Sequence, residues 1–171
     1  AAKRVKNNEE LDKGAVQREH LNHIVMGSLV QHPAYRSGAL PLRVAAPYYA
    51  RYAPGRAYGD HVDDPIMGTD GALYRSDISI TVFLNEPEKY DGGELVIEGE
   101  YGAQEVKLPA GDLVLYPAGS LHQVTPVTRG ARIAAFLTLN HPDRVRRAVF
   151  AGLASRMIAG VGGGEIIADG L

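Results

Sequence analysis

The chain of 171 residues contains no cysteine, so it can form neither disulfide bonds nor thiolate metal sites. Any metal must therefore be bound by histidine and carboxylate side chains. The formal net charge is only −2, which gives no electrostatic reason to expect nucleic acid or an anionic membrane as a partner. No apolar run approaches the ~18 residues of a membrane span. The absence of cysteine fits a reducing compartment, and we expect a cytoplasmic protein.

The composition and the lack of repeats or linkers predict one folded domain. Hydrophobic residues make up 45% of the chain and charged residues 22%, which argues against global disorder. We find neither an internal repeat nor a linker, so we expect a single domain over residues 1–171. Its expected parts are an N-terminal support helix over about residues 8–31, a β core over about residues 40–139, and a C-terminal helical or poorly ordered tail over about residues 142–171.

The support helix is predicted from its ends and its apolar spacing. Asn8 can cap the helix, Glu9 and Glu10 favour the positive end of its dipole, and Pro33 follows its end. One stripe of apolar residues recurs at helical spacing: Leu21, Ile24, Val25 and Leu29. His20 and His23, three residues apart on the same helix, are interpreted as surface residues rather than metal ligands.

From residue 40 onward, short apolar runs alternate with glycine, proline, asparagine and aspartate. This cadence predicts many short strands joined by turns and favours a mainly β jelly roll with flanking helices over a doubly wound α/β sheet. The predicted strands cover residues 43–52, 78–84, 94–98, 106–108, 113–116 and 131–139.

A candidate metal site combines His61, Asp63 and His122. Alternate residues of a strand point to the same face, so His61 and Asp63 can reach one ion without a special loop. His122 follows a turn and begins a strand that can lie opposite. Two histidines and one carboxylate leave half of an iron's coordination sphere open for oxygen and a co-substrate. The alternative is that the first two are surface turn residues and His122 a core histidine.

Arg132 lies in an otherwise apolar predicted strand, ten residues after His122. Burying an arginine is costly without an anionic partner, and its planar fork matches a carboxylate. Together with the candidate metal site, this favours a carboxylate-bearing co-substrate. An edge-exposed side chain or a structural ion pair is the alternative.

Seven segments carry a resemblance to a known family: residues 52–63, 75–79, 83–85, 90–95, 109–117, 121–127 and 130–132. They resemble the prolyl/lysyl-hydroxylase class of Fe(II)- and 2-oxoglutarate-dependent dioxygenases, and in particular the bacterial PKHD-type hydroxylases associated with iron uptake. The resemblance implies a double-stranded β-helix with iron on His61, Asp63 and His122. It also implies that Arg132 binds the distal carboxylate of 2-oxoglutarate and that Tyr52 lies beside this co-substrate.

The implied reaction hydroxylates an unidentified small molecule or peptide with O₂ and releases succinate and CO₂. The resemblance also implies ascorbate binding and is compatible with a homo-oligomer. Relatives have more chain before the helix, so we expect a trimmed N-terminus, and residues 137–171 depart from the family pattern. Substrate specificity is expected on rim loops such as residues 65–74.

Two other functions fit parts of the pattern. A cupin-like metal enzyme that does not use 2-oxoglutarate shares the strands and histidines but gives Arg132 no task. A jelly-roll binding module without catalysis needs no metal at all. Fold alone does not decide between these possibilities.

Overall fold

A computed structural model describes residues 5–12, 14, 16–69 and 71–140 of the chain. Two α-helices, α1 (Val16–Gln31) and α2 (Pro33–Ala39), and a 3₁₀ turn at Pro87–Lys89 lie among these residues. The strands within the same residues are β1 (Lys6–Asn7), β2 (Glu9–Glu10), β3 (Arg43–Val44), β4 (Tyr48–Tyr52), β5 (Ala57–His61), β6 (Ile66–Met67), β7 (Tyr74–Arg75), β8 (Ile78–Phe83), β9 (Tyr90–Gly92), β10 (Leu95–Gly99), β11 (Gly102–Val106), β12 (Leu113–Pro117), β13 (His122–Val124), β14 (Val127–Gly130) and β15 (Arg132–Asn140).

Most of the strands form two antiparallel sheets. A five-stranded sheet has the order β1-β5-β13-β10-β11, and a six-stranded sheet has the order β12-β8-β15-β4-β2, with β3 also paired to β15. Strands that are distant in sequence lie side by side, as β5 and β13 do. This arrangement confirms the predicted mainly β jelly roll with flanking helices.

Strand β8 shows that both faces of the six-stranded sheet are buried. Every residue from Ile78 to Phe83 is buried. Ile78, Ile80 and Val82 pack in one cluster with Val25 and Leu29 of α1. Phe83 belongs to a second cluster that also contains residues of the five-stranded sheet, including Leu95 and Val124. The helix therefore supports the outer face, and the second cluster fills the space between the sheets.

The start of the support helix was predicted wrongly. The helix begins at Val16 rather than Asn8, and the preceding residues form β1 and β2. β1 pairs with β5 in one sheet, and β2 pairs with β4 in the other, so their backbone groups bond to neighbouring strands instead of within a helix. The predicted end at Gln31 is confirmed, although Pro33 then opens α2 as its first residue.

Two strand predictions also need correction. The predicted strand over residues 43–52 is two strands, β3 and β4, separated by a segment that contains Pro47. The strand predicted at residues 106–108 lies earlier, at Gly102–Val106, where it forms a hairpin with β10. The predicted tail over residues 142–171 lies outside the described residues, so the single domain over residues 1–171 stays a prediction. Neither described helix combines the length and apolar character needed to cross a membrane.

Candidate metal and co-substrate site

His61 and His122 lie opposite each other on neighbouring strands. β5 and β13 are antiparallel, and their register pairs His61 directly with His122. The centroids of the two imidazole rings are 4.2 Å apart. The residues are buried, with 8% and 3% exposure. Two residues that are far apart in sequence are thus fixed side by side by backbone pairing.

Each imidazole is oriented by a backbone carbonyl two residues earlier. His61 Nδ1 lies 2.7 Å from the Gly59 oxygen, and His122 Nδ1 lies 2.9 Å from the Ser120 oxygen. When Nδ1–H donates to a carbonyl, Nε2 keeps the lone pair that a metal needs. Burial lowers the pKa of His61, against the opposing effect of its hydrogen bond with Gly59. A lowered pKa favours the neutral imidazole that binds a metal.

Asp63 faces both histidines from the segment just after β5. Its Oδ1 lies 4.0 Å from His61 Nε2 and 3.8 Å from His122 Nε2. Its Oδ2 accepts a hydrogen bond from the hydroxyl of Ser79. One ligand atom from each of the three residues lies within 4.8 Å of the others. Metal bonds of histidine and carboxylate are about 2.0–2.2 Å long, so two ligand atoms of one ion lie at most about 4.4 Å apart. Both Asp63 distances fall within that span.

A β-bulge brings Tyr58 into the same site. The register pairs Val124 with Tyr58 and His122 with His61, so three steps along β5 oppose two steps along β13. In a regular strand, Tyr58 and His61 would point to opposite faces. The extra residue lets both side chains share a face. Their rings stack with centroids 3.6 Å apart and planes within 11°.

Arg132 is buried at the start of β15 with 2% exposure. Its guanidinium carbon lies 5.2 Å from the centroid of the Tyr52 ring and 5.5 Å from that of Phe83. Its Nε has no hydrogen-bond partner, and no carboxylate of the described residues forms an ion pair with it. Burial lowers the pKa of Arg132, while nearby tyrosines, Tyr52 first, oppose that shift. Such a fork fits an anionic ligand.

The three candidate metal ligands and Arg132 line one cavity of about 210 Å³. Its wall includes the three candidate ligands and Arg132. It also includes several side chains that were not predicted to belong to the site: Lys6, Asn8, Glu10, Tyr58, Thr81 and Tyr116. Tyr52, predicted beside the co-substrate, also lines the cavity. Thr81 and Ser79 are alternate residues of β8, so their spacing in the sequence already indicated that their side chains share one face of the sheet.

The other histidine pair takes no part in this site. His20 and His23 are exposed on α1, as predicted. Among the described residues, only His61, Asp63 and His122 form a group of three or more histidine, aspartate or glutamate side chains that could hold a metal. A nitrogen, nitrogen and oxygen donor set of this kind suits Fe(II) in non-haem oxygenases.

The jelly roll and its buried His–Asp–His group define the class of non-haem iron oxygenases. The sequence profile of the 2OG-Fe(II) oxygenase superfamily matches residues 47–139. The chain belongs to this superfamily, whose members use Fe(II), 2-oxoglutarate and O₂.

Curated relatives carry the name PKHD-type hydroxylase. One from Thioalkalivibrio sulfidiphilus is 51% identical over 131 residues, which cover 77% of this chain and 58% of the relative. Another, from Hyphomonas neptunium, is 51% identical over 141 residues, covering 80% of this chain and 61% of the relative. The chain thus spans about three fifths of the length of these relatives.

Solved structures share the fold. A prolyl-4-hydroxylase from Pseudomonas putida superimposes with a TM-score of 0.55 at 24% identity, covering 80% of this chain and 72% of that one. A viral collagen prolyl hydroxylase from Paramecium Bursaria Chlorella virus-1, solved as a 2OG complex, gives a TM-score of 0.57 at 20% identity, covering 80% of each chain.

Proposed function

We propose that this protein is an Fe(II)- and 2-oxoglutarate-dependent hydroxylase. The observation that carries the proposal is the shared cavity. It is lined both by His61, Asp63 and His122 and by the buried cation Arg132, which forms no ion pair with the described residues. Family membership supports the same reaction class. The substrate is a small molecule or a peptide that remains to be identified.

Each candidate ligand has a defined task in this proposal. His61 and His122 bind the iron through Nε2, while Gly59 and Ser120 hold the rings in place through their carbonyl oxygens. Asp63 binds through Oδ1, and Ser79 fixes its other oxygen. When bound, Fe(II) supplies the redox chemistry that couples oxidative decarboxylation of 2-oxoglutarate to hydroxylation, with succinate and CO₂ as the other products.

Arg132 binds the distal carboxylate of 2-oxoglutarate in this proposal. The guanidinium is already desolvated, so a bidentate carboxylate would provide the hydrogen-bond acceptor that Nε lacks. Tyr52 packs against the guanidinium and lies beside the co-substrate. The aromatic side chains of Tyr52, Tyr58 and Tyr116 line the cavity and limit the access of water to the reacting groups.

Other predictions are carried here as proposals. A cytoplasmic location is proposed because the chain has no cysteine. Ascorbate as an accessory ligand and assembly as a homo-oligomer are proposed from the family resemblance. Neither nucleic acid nor a membrane is proposed as a partner, because the net charge of −2 offers them no electrostatic attraction.

Calorimetry with a redox-inert metal tests the proposal. Mn(II) should bind once per chain, and 2-oxoglutarate should bind the Mn(II)-loaded protein far more tightly than the metal-free protein. With Fe(II) and O₂, succinate should then form slowly even without a substrate. Binding of Mn(II) without any binding of 2-oxoglutarate would favour the cupin-like enzyme. Failure of the protein to bind metal would favour the non-catalytic module.

A further inference from the structure

The N-terminal strap, residues 6–10, joins the two sheets at the cavity. Its first half, β1, pairs with β5 of the five-stranded sheet, and its second half, β2, pairs with β4 of the six-stranded sheet. Leu11 N–H donates to the Tyr49 oxygen at 3.0 Å and continues the second attachment. The strap therefore crosses the gap between the sheets and forms part of the cavity wall.

Alternate residues of the strap have different surroundings. Asn7 accepts a hydrogen bond from Arg56, and Glu9 forms an ion pair with Arg51, whose Nη1 lies 2.7 Å from Glu9 Oε2. Arg56 and Arg51 thus attach the strap from outside the cavity. The other residues of the strap line the cavity: Lys6, Asn8 and Glu10.

Asn8 brings an unused hydrogen-bond acceptor to the cavity wall. Its Oδ1 is shielded from bulk water and has no hydrogen-bond partner among the described residues. Asn8 Nδ2 donates to the backbone carbonyl oxygen of Glu9 at 3.3 Å. The side-chain nitrogen is therefore the bonded end of the Asn8 amide, and Oδ1 is the free end. A shielded acceptor without a donor is unfavourable, and a ligand N–H group that bonds to it would remove this cost.

The charges beside Asn8 favour a neutral donor. Lys6 and Glu10 form an ion pair with each other, so the strap offers no net charge to a ligand. The Lys6 ammonium lies 5.6 Å from the centroid of the Tyr58 ring, which stacks on His61. With no net charge on the strap to attract it, a charged donor would not recover the cost of leaving water. A neutral amide N–H has a much smaller cost to recover.

We propose that the N-terminal strap is a binding site for the substrate to be oxidised, and that Asn8 accepts a hydrogen bond from a peptide amide. This inference rests on the proposed function, because the strap faces the candidate metal site. It assigns peptides, or molecules with a peptide-like amide, as the substrate class. The substrate would not contact Arg132 and Tyr52, which remain available to bind 2-oxoglutarate.

Two small probes isolate the amide hydrogen. N-acetyl-L-proline N′-methylamide has a single N–H group, because the amide nitrogen of proline carries no hydrogen. N-acetyl-L-proline methyl ester has none. Saturation-transfer NMR should show that the wild-type protein binds the methylamide about tenfold more tightly than the ester, as expected when a shielded acceptor gains its donor.

Variants of the strap locate the effect. Asn8→Ala and the similarly sized Asn8→Leu should bind the two probes equally. The matched control Asn7→Ala, which removes an amide from the other side of the same strap, should keep the preference for the methylamide. Circular dichroism should show the same fold in all of them.

Several results would overturn the inference. Equal binding of both probes by the wild type, including no binding of either, would remove the amide-binding site. Equal losses in Asn7→Ala and Asn8→Ala would indicate a general effect on the strap. A loss of 2-oxoglutarate affinity in Asn8→Ala would place Asn8 with the co-substrate. Because saturation transfer needs no metal, failure of Mn(II) and 2-oxoglutarate binding would overturn the proposed function separately.

Discussion

The two ends of the cavity differ in how completely their polar atoms are paired. At the metal end, defined by His61, Asp63 and His122, each side chain has a second polar atom bonded within the protein. At the arginine end, defined by Arg132 with Tyr52 and Phe83, the guanidinium lies near aromatic rings, and its Nε has no hydrogen-bond partner in the part of the chain that the structure describes. The metal end is therefore preorganised by the protein, whereas the arginine end is completed by a ligand.

Loss of a metal ligand should have the largest effect. His122→Ala removes one of three proposed bonds and should lower metal affinity by more than about 100-fold, beyond the effect of losing an outer partner. Turnover should be abolished while the fold survives. Titration with Mn(II) measures the loss. His23→Ala, at an exposed histidine on α1, should bind Mn(II) like the wild type. Full affinity in His122→Ala would exclude this residue as a ligand.

Replacement of Arg132 should separate binding from stability. Arg132→Ala should weaken 2-oxoglutarate binding by about 2–5 kcal/mol, since a buried carboxylate would lose its partner. Arg132→Met should raise the melting temperature of the ligand-free protein, because it removes an unpaired buried charge. Calorimetry and thermal unfolding measure the two effects. Arg129→Met, at an exposed ion pair with Asp91, is the control. It should change neither the free energy of 2-oxoglutarate binding nor the free energy of unfolding by more than about 0.5 kcal/mol. Unchanged 2-oxoglutarate affinity in Arg132→Ala would overturn the co-substrate assignment.

Removal of the Ser79 hydroxyl should loosen the metal end without removing a ligand. Ser79→Ala leaves Asp63 Oδ2 without its donor and should lower metal affinity by about 10–100-fold. Ser76→Ala is the matched control, because Ser76 is also buried but its hydroxyl has no hydrogen-bond partner among the described residues. Mn(II) titration of both variants makes the comparison. Equal affinities would mean that the orientation of Asp63 does not depend on Ser79.

The smallest expected effect concerns the packing behind Arg132. A Cβ added at Gly93 would lie 2.9 Å from Val127 Cγ2 and 3.2 Å from Arg132 Cδ. Gly93→Ala should therefore shift the guanidinium and weaken 2-oxoglutarate binding by about 3–10-fold, less than a full 1 Å displacement would cause. Gly55→Ala controls for backbone strain, since Gly55 also has a positive φ, of 82°, but its added Cβ meets nothing within 4 Å. Equal 2-oxoglutarate affinity in both variants would contradict the packing effect.

The convergence of His61, Asp63 and His122 could be predicted from the sequence because the His-x-Asp spacing and the distant second strand are visible in it. The predicted strand was too long, since β5 ends at His61 and Asp63 lies just after it. Their role as ligands stays a proposal. Arg132 was also recognisable, since a charge in an apolar strand requires an explanation. The structure places all four side chains around one cavity.

The N-terminal strap was not predictable from local signals. Asn8, Glu9 and Glu10 carry good features of a helix start, but pairing with β5 and β4 decides their conformation. Such pairing depends on residues far along the chain, which overrides a weak local preference. The bulge in β5 could not be predicted either, because it is defined only by the pairing of β5 with β13.

That bulge ties the spacing between Tyr58 and His61 to the pairing with β13. Two side chains of a regular strand share a face when they are two residues apart, whereas these two are three residues apart. A homologue whose β5 pairs regularly should therefore carry its tyrosine two residues before the histidine, one fewer than here, to keep the same stacking. A homologue with a spacing of three and a regular ladder would turn the tyrosine away from the site, although it would keep every histidine, aspartate and arginine discussed here.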